Sequence, residues 1–120
     1  MAQRTQSWVH ILHESLPEKI TFVEKTNMIS VNEYFNGTVK SLAYNSTEGK
    51  STIGVIEPGE YEFGTSSHET MVVIEGELLA LLPGESEWKN YKNSESFQVE
   101  ANTSFKVRAD LQTSYLCKYK

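Results

Sequence analysis

Few residue types suited to chemistry stand in this chain, and their spacing limits what they can do. The histidines are His10, His13 and His68, and the one cysteine is Cys117. His10, His13 and Glu14 fall at i, i+3 and i+4, a spacing that can hold a metal on one helix face; on the polar side of an amphipathic helix the commoner outcome is a solvated pair. There is no Gly-rich phosphate loop, no Ser-His-Asp order and no thiol-nucleophile motif. Cys117, inside Tyr-Leu-Cys-Lys-Tyr, reads as a small buried hydrophobe. What remains is an acid in an apolar strand. Side chains alternate with period two, so Glu69 shares a face with Met71 and Val73 and points a carboxylate inward. Such a group is either an electrostatic stabiliser or a structural hydrogen-bond acceptor.

The elements that position these residues are strands. Turn chemistry recurs at Asn36-Gly37, Glu48-Gly49, Pro58-Gly59, Glu75-Gly76 and Pro83-Gly84, then at Asn93-Ser94 and Asn102-Thr103. Between them lie short stretches rich in Val, Ile, Thr, Tyr and Phe, which predict strands near 38–44, 51–56, 60–65, 70–75, 77–82, 87–91, 96–99, 104–109 and 113–119. Strands at about ten-residue spacing without a helical period favour an all-β antiparallel sandwich or barrel of the jelly-roll type. Both sides of 71–74 and 78–82 are apolar, which predicts a hairpin covered twice, by the opposite sheet and by a second subunit or the N-terminal extension. In that extension, residues 1–27, Ser7 caps a predicted helix over Trp8–Leu16 with Trp8, Ile11, Leu12 and Leu16 on one stripe, and a short strand follows at 20–24. The domain proper is expected over 28–120.

At 120 residues the chain suits one domain, with 38% hydrophobic and 22% charged residues, an ordinary soluble composition. The longest apolar run, Leu78–Pro83, is too short to span a bilayer, and no signal-peptide pattern opens the chain, so a cytoplasmic protein is expected. A net charge of -5 argues against broad binding to nucleic acid or anionic membrane. An anionic ligand would therefore need a local cluster of donors.

Two resemblances extend this reading. Pro58-Gly59, then Glu69 seven residues before Gly76, is similar to the first cupin motif; its two histidine positions fall on Phe63 and Thr65, and that of the second motif on Phe105. Without those histidines no metal is expected in the pocket. The wider run Asn32-Glu33-Tyr34-Phe35, Gly37-x-Val39-Lys40-Ser41, Gly59-Glu60-Tyr61-x-Phe63, Glu69-x-Met71, Leu82-Pro83, Trp88 and Thr113–Tyr119 resembles the pyrimidine/purine nucleoside phosphorylase family of small bacterial cupins. It departs from the family pattern at Ser94 for glycine and at Glu100 and Gln112 for proline.

The resemblance implies a single-domain cupin jelly-roll barrel over about residues 28–120; the short helical extension lies outside it, and the double-faced hairpin adds the expectation of a homodimer. The resemblance also implies cleavage of pyrimidine and purine nucleosides by inorganic phosphate, without a cofactor, to free base and ribose 1-phosphate. Glu69 would then stabilise the oxocarbenium-like sugar. Tyr61, Phe63, Thr65, Met71, Phe105 and Tyr115 would form the substrate wall, although aromatic residues in a small barrel are more often plain core. Phosphate would fall to Lys40, Ser41, Arg108 and Ser114, with Lys40 ranked above Arg108, which lies an odd number of residues from Phe105 and so points outward on a regular strand. A non-enzymatic cupin that binds or senses a nucleoside or sugar is the alternative; turnover separates the two.

Overall fold

The glycine turns cut the chain into extended segments short enough to pair with one another. The computed structural model describes residues 28–120. Its strands are β1 (Ser30–Tyr34), β2 (Val39–Ser46), β3 (Gly49–Ile56), β4 (Gly59–Gly64), β5 (Glu69–Glu75), β6 (Glu77–Leu81), β7 (Lys89–Lys92), β8 (Ser96–Val99), β9 (Ser104–Ala109) and β10 (Thr113–Tyr119), with a 3-10 turn, Phe35–Gly37, between β1 and β2. All nine predicted strands are present, and β1 is an addition to them. The predicted helix over 8–16, His10 and His13 with it, and the strand at 20–24 lie outside the described residues. Among the described residues no helix is long and apolar enough to cross a membrane.

The strands form two antiparallel sheets, ordered β1-β2-β3-β10-β5-β8 and β4-β9-β6-β7. Among the described residues no hydrogen-bonded strand pair joins one sheet to the other, so the expected jelly roll takes its sandwich form. Inward-facing Val39, Ile56, Val73, Leu78, Val99 and Val107 fill the space between, each at most 2% exposed. Burial at that level stabilises by roughly 1.5–3 kcal/mol per large aliphatic side chain.

The outward face of the six-stranded sheet is apolar as well. The register aligns Val31, Leu42, Ile53, Leu116 and Val72 in one row across five strands. Val31, Leu42 and Ile53 are exposed in it, as are Ile74 and Val55 nearby. The double-faced apolar pattern of 71–74 is therefore real, but nothing among the described residues covers the second face.

β10 holds the inner layer in place, since it pairs with β3 on one side and β5 on the other. Its Tyr115 lies opposite Gly54 of β3. A Cβ built at Gly54 would stand 2.5 Å from Cζ and from Oη of Tyr115, so the ring occupies space that only glycine leaves free. Gly54→Ala is expected to displace Tyr115 and to lower the free energy of unfolding by about 1–3 kcal/mol in a urea titration. An unchanged midpoint would show that the ring moves aside without cost.

Candidate functional site

Between the sheets, at one open end, lies a chamber of about 280 Å³, at the small end of the range usual for small-molecule sites. The six-stranded sheet contributes Ser41, Thr52, Glu69, Met71, Tyr115, Cys117 and Tyr119; the four-stranded sheet contributes Glu62, Phe63 and Phe105. These side chains meet because of register. Thr52, Cys117 and Met71 lie side by side on β3, β10 and β5, and the next inward row pairs Tyr119 with Glu69. Phe63 and Phe105 face each other across β4 and β9, with ring centroids 5.8 Å apart.

Phe35 closes the aromatic side. It packs against Tyr61 at 5.1 Å and edge-on against Phe63 at 5.6 Å. It does so from a left-handed backbone conformation, φ 51°, with Asn36 beside it at 58°. A bulky residue held there is strained, a condition that clusters at ligand clamps. Glycine at position 37, φ 86°, completes the turn.

Glu69 is the half-buried acid of the chamber. Burial pushes its carboxyl above the ordinary carboxylate range; a hydrogen bond donated by the Cys117 Sγ to Oε1 at 3.5 Å, and nearby His68, oppose that rise. The same burial, with the Glu69 charge adding to it, pushes the Cys117 thiol up to about 12. Desolvation also raises Tyr115 and Tyr119, so both phenols stay protonated at neutral pH. The Tyr119 hydroxyl shares a hydrogen bond with Thr52 Oγ1 at 3.2 Å. The result is a half-buried carboxyl acceptor among neutral donors and apolar walls, with the exposed Glu62 also in the lining, suited to a ligand with hydroxyls on one side and a flat face on the other.

Of the residues singled out from the sequence, Ser41, Phe63, Glu69, Met71, Phe105 and Tyr115 line the chamber together. The others sit elsewhere. Tyr61 is buried behind Phe63 and donates its hydroxyl to the Glu57 carbonyl at 2.8 Å. Thr65 donates to the Glu100 carbonyl at 2.7 Å and pins a loop. Lys40 is exposed on the outward face of β2, and Arg108 is exposed on β9, stacked over Trp88 at 5.4 Å. β9 pairs without a bulge, so Arg108 does point outward. Ser114 lies at the far end of β10, its hydroxyl against the Glu75 carbonyl at 3.5 Å. The sequence reading missed Tyr34, Phe35, Thr52 and Tyr119; period-two phase along β10 is the signal that would have added Tyr119.

Comparison with known proteins places this arrangement. The family model for pyrimidine/purine nucleoside phosphorylase matches residues 29–119. The chain belongs to that family. A pyrimidine/purine nucleoside phosphorylase of Pseudoalteromonas atlantica is 54% identical over 92 residues, 77% of this chain and 99% of the relative. One of Pseudomonas paraeruginosa is 52% identical over 93 residues, 78% of this chain and all of the relative. A solved structure of a Vibrio parahaemolyticus protein of unknown function superimposes with a TM-score of 0.75 at 44% identity, over 78% of this chain and 99% of its own. An RmlC-like cupin from Shewanella frigidimarina, at 16% identity and a TM-score of 0.61 over 79% of this chain and 84% of its own, shares the fold.

Against the family pattern, Ser94 stands where glycine is usual and takes the left-handed conformation that glycine favours, φ 74°. Gln112 occupies a proline position and donates instead to the Glu57 carboxylate at 3.1 Å. Cupins commonly hold a metal on histidines. Here those positions carry two phenyl rings and a threonine whose hydroxyl is committed to backbone carbonyls. Among the described residues no three His, Cys, Asp or Glu side chains gather. The donor set does not fit a resident metal.

The raised Glu69 carboxyl has a consequence for stability. A folded-state value above the unfolded one means that the folded chain holds its proton longer, so stability falls as pH rises above roughly 4 through the raised value. Glu69→Gln removes that dependence. Its melting temperature at pH 7 is expected to equal or exceed that of the natural chain, with the gap closing near pH 4. A lower melting temperature at pH 7 would mark Glu69 as a structural acceptor.

Proposed function

We propose that this protein is a broad-specificity nucleoside phosphorylase, cleaving pyrimidine and purine nucleosides with inorganic phosphate to free base and ribose 1-phosphate without a metal or cofactor. The observation that carries the reading is Glu69, a carboxylate half-buried in an aromatic chamber, in a chain whose relatives bear that name. In the reaction the C1′–N bond breaks and a C1′–O bond to phosphate forms, through a sugar carrying positive charge. Glu69 lies where its charge can accept hydrogen bonds from ribose hydroxyls and stabilise that cation, most effectively in a site shielded from water.

Phe63, Phe105 and Phe35 supply a wall for the base. Stacking is worth roughly 1–3 kcal/mol per base and does not distinguish one base from another, which supports tolerance of both classes. The hydroxyls of Ser41, Thr52, Tyr115 and Tyr119 line the same chamber as neutral donors. The proposed protein is cytoplasmic, where nucleosides and phosphate meet, and homodimeric; the exposed apolar row from Val31 to Ile53 supports a second copy covering the outer sheet face.

Uridine, cytidine, adenosine, guanosine and inosine, incubated with and without phosphate, are expected to release base only with phosphate and to yield ribose 1-phosphate. Exhaustive chelation should leave the rate unchanged. Equal release without phosphate would make the protein a hydrolase, and binding without release would make it a sensor. In the same assay Glu69→Gln is expected to lose about 3–4 kcal/mol of transition-state stabilisation, a hundredfold or more in rate per folded molecule.

A further inference from the structure

The inner chamber continues into a wider one of about 420 Å³ at the mouth, and Tyr34, Thr52 and Tyr119 line both. The two spaces therefore share a wall. The outer lining departs from the charge of the whole chain, which is -5: it contains Lys50 and no aspartate or glutamate. Lys50 is the second residue of β3, in phase with inward-facing Thr52, Gly54 and Ile56, so alternation turns its stem to the inner side at the open end of the sandwich. Its Nζ stands over the Tyr119 ring, 5.9 Å from the centroid. Tyr119 is in turn the register partner of Glu69. Lys50 on β3 and Glu69 on β5 thus flank Tyr119 of β10, one on each side, in a single row across the sheet.

Ser66 and Ser67, from the loop between β4 and β5, and the amides of Asn32 and Asn45 share the outer lining. Other cations are placed or occupied elsewhere. Lys118 pairs with Glu48 at 2.9 Å and Lys89 with Glu85 at 3.8 Å, while Lys40 and Arg108 face outward. Among the described residues Lys50 is the only lysine or arginine that lines either chamber.

We propose that Lys50, with Ser66 and Ser67, forms a phosphoryl-anion subsite at the mouth of the nucleoside chamber. An ammonium group beside neutral hydroxyl and amide donors, with no carboxylate in the lining, is the chemistry that holds a tetrahedral oxyanion. Its catalytic role rests on the phosphorolysis reading, in which the anion is the attacking phosphate; the binding itself does not. The same subsite chemistry would accept the 5′-phosphate of a nucleotide.

The test titrates inorganic phosphate into the full chain and into Lys50→Met and Lys50→Arg, followed by calorimetry, and measures phosphorolysis with each substrate varied in turn. Lys50→Met is expected to weaken phosphate binding, and to raise the phosphate KM, by roughly tenfold or more while the nucleoside KM stays within about twofold; Lys50→Arg restores most of the loss. Phosphate affinity unchanged in Lys50→Met overturns the proposal, as does a natural chain that binds no phosphate. Because the titration needs no turnover, Lys50-dependent binding without phosphorolysis upholds the subsite and refutes the proposed reaction. A nucleoside 5′-monophosphate that binds more tightly than its nucleoside, and loses that advantage in Lys50→Met, identifies the substrate's own phosphate as the occupant; equal binding of the two identifies free phosphate.

Discussion

The pairing of β10 with both β3 and β5 is the constraint on which the chamber depends. It fixes Tyr115, Cys117 and Tyr119 on one face and brings Gly54, Thr52, Met71 and Glu69 alongside them. A slip of one residue between β10 and β5 would turn Glu69 outward and bring Thr70 inward, and one between β10 and β3 would do the same to Thr52, since register and face are locked together by period two. The register shift between Ser114 and Tyr115 lies beyond the chamber and leaves the inner rows in phase. Gly54 makes the same point sterically, because the Tyr115 ring lies where any larger residue would be.

Placing a carboxylate in such a layer carries a desolvation cost, visible in the upward push on Glu69. The surroundings offset it only in part, through one weak thiol hydrogen bond and the nearby His68, with no lysine or arginine in the inner lining. A group left this under-satisfied is free to serve a ligand, whereas a structural carboxylate would normally be saturated by backbone donors. Phe35 follows the same logic on the opposite wall. Its left-handed backbone costs conformational energy, and what it secures is an edge-on ring at the rim of the chamber.

The sandwich was legible in the sequence because its turns are chemically explicit and its inward positions apolar. β1 escaped because Ser-Val-Asn-Glu-Tyr buries neither face, so alternation had nothing to mark. Phase along β5 placed Glu69 and Met71 correctly, and the family resemblance added Phe63 and Phe105. The rest of the chamber comes from register between strands far apart in sequence, as with Thr52 beside Cys117, and from a strained turn at Phe35; neither is written in local pattern. Lys50 was hidden for a related reason. It follows the Glu48-Gly49 turn, where a lysine looks like a solvated end, and only the length of β3 shows that it shares a face with Thr52.

Cys117 carries one more consequence. It is 2% exposed, donates to Glu69, and holds its proton to about pH 12. Sulfenic acid formation, glutathionylation and alkylation all begin from a thiolate that solvent can reach. The sulfur therefore touches the candidate acid without offering peroxide or electrophiles a thiolate to attack, so the cysteine at the heart of the chamber serves as a packing atom.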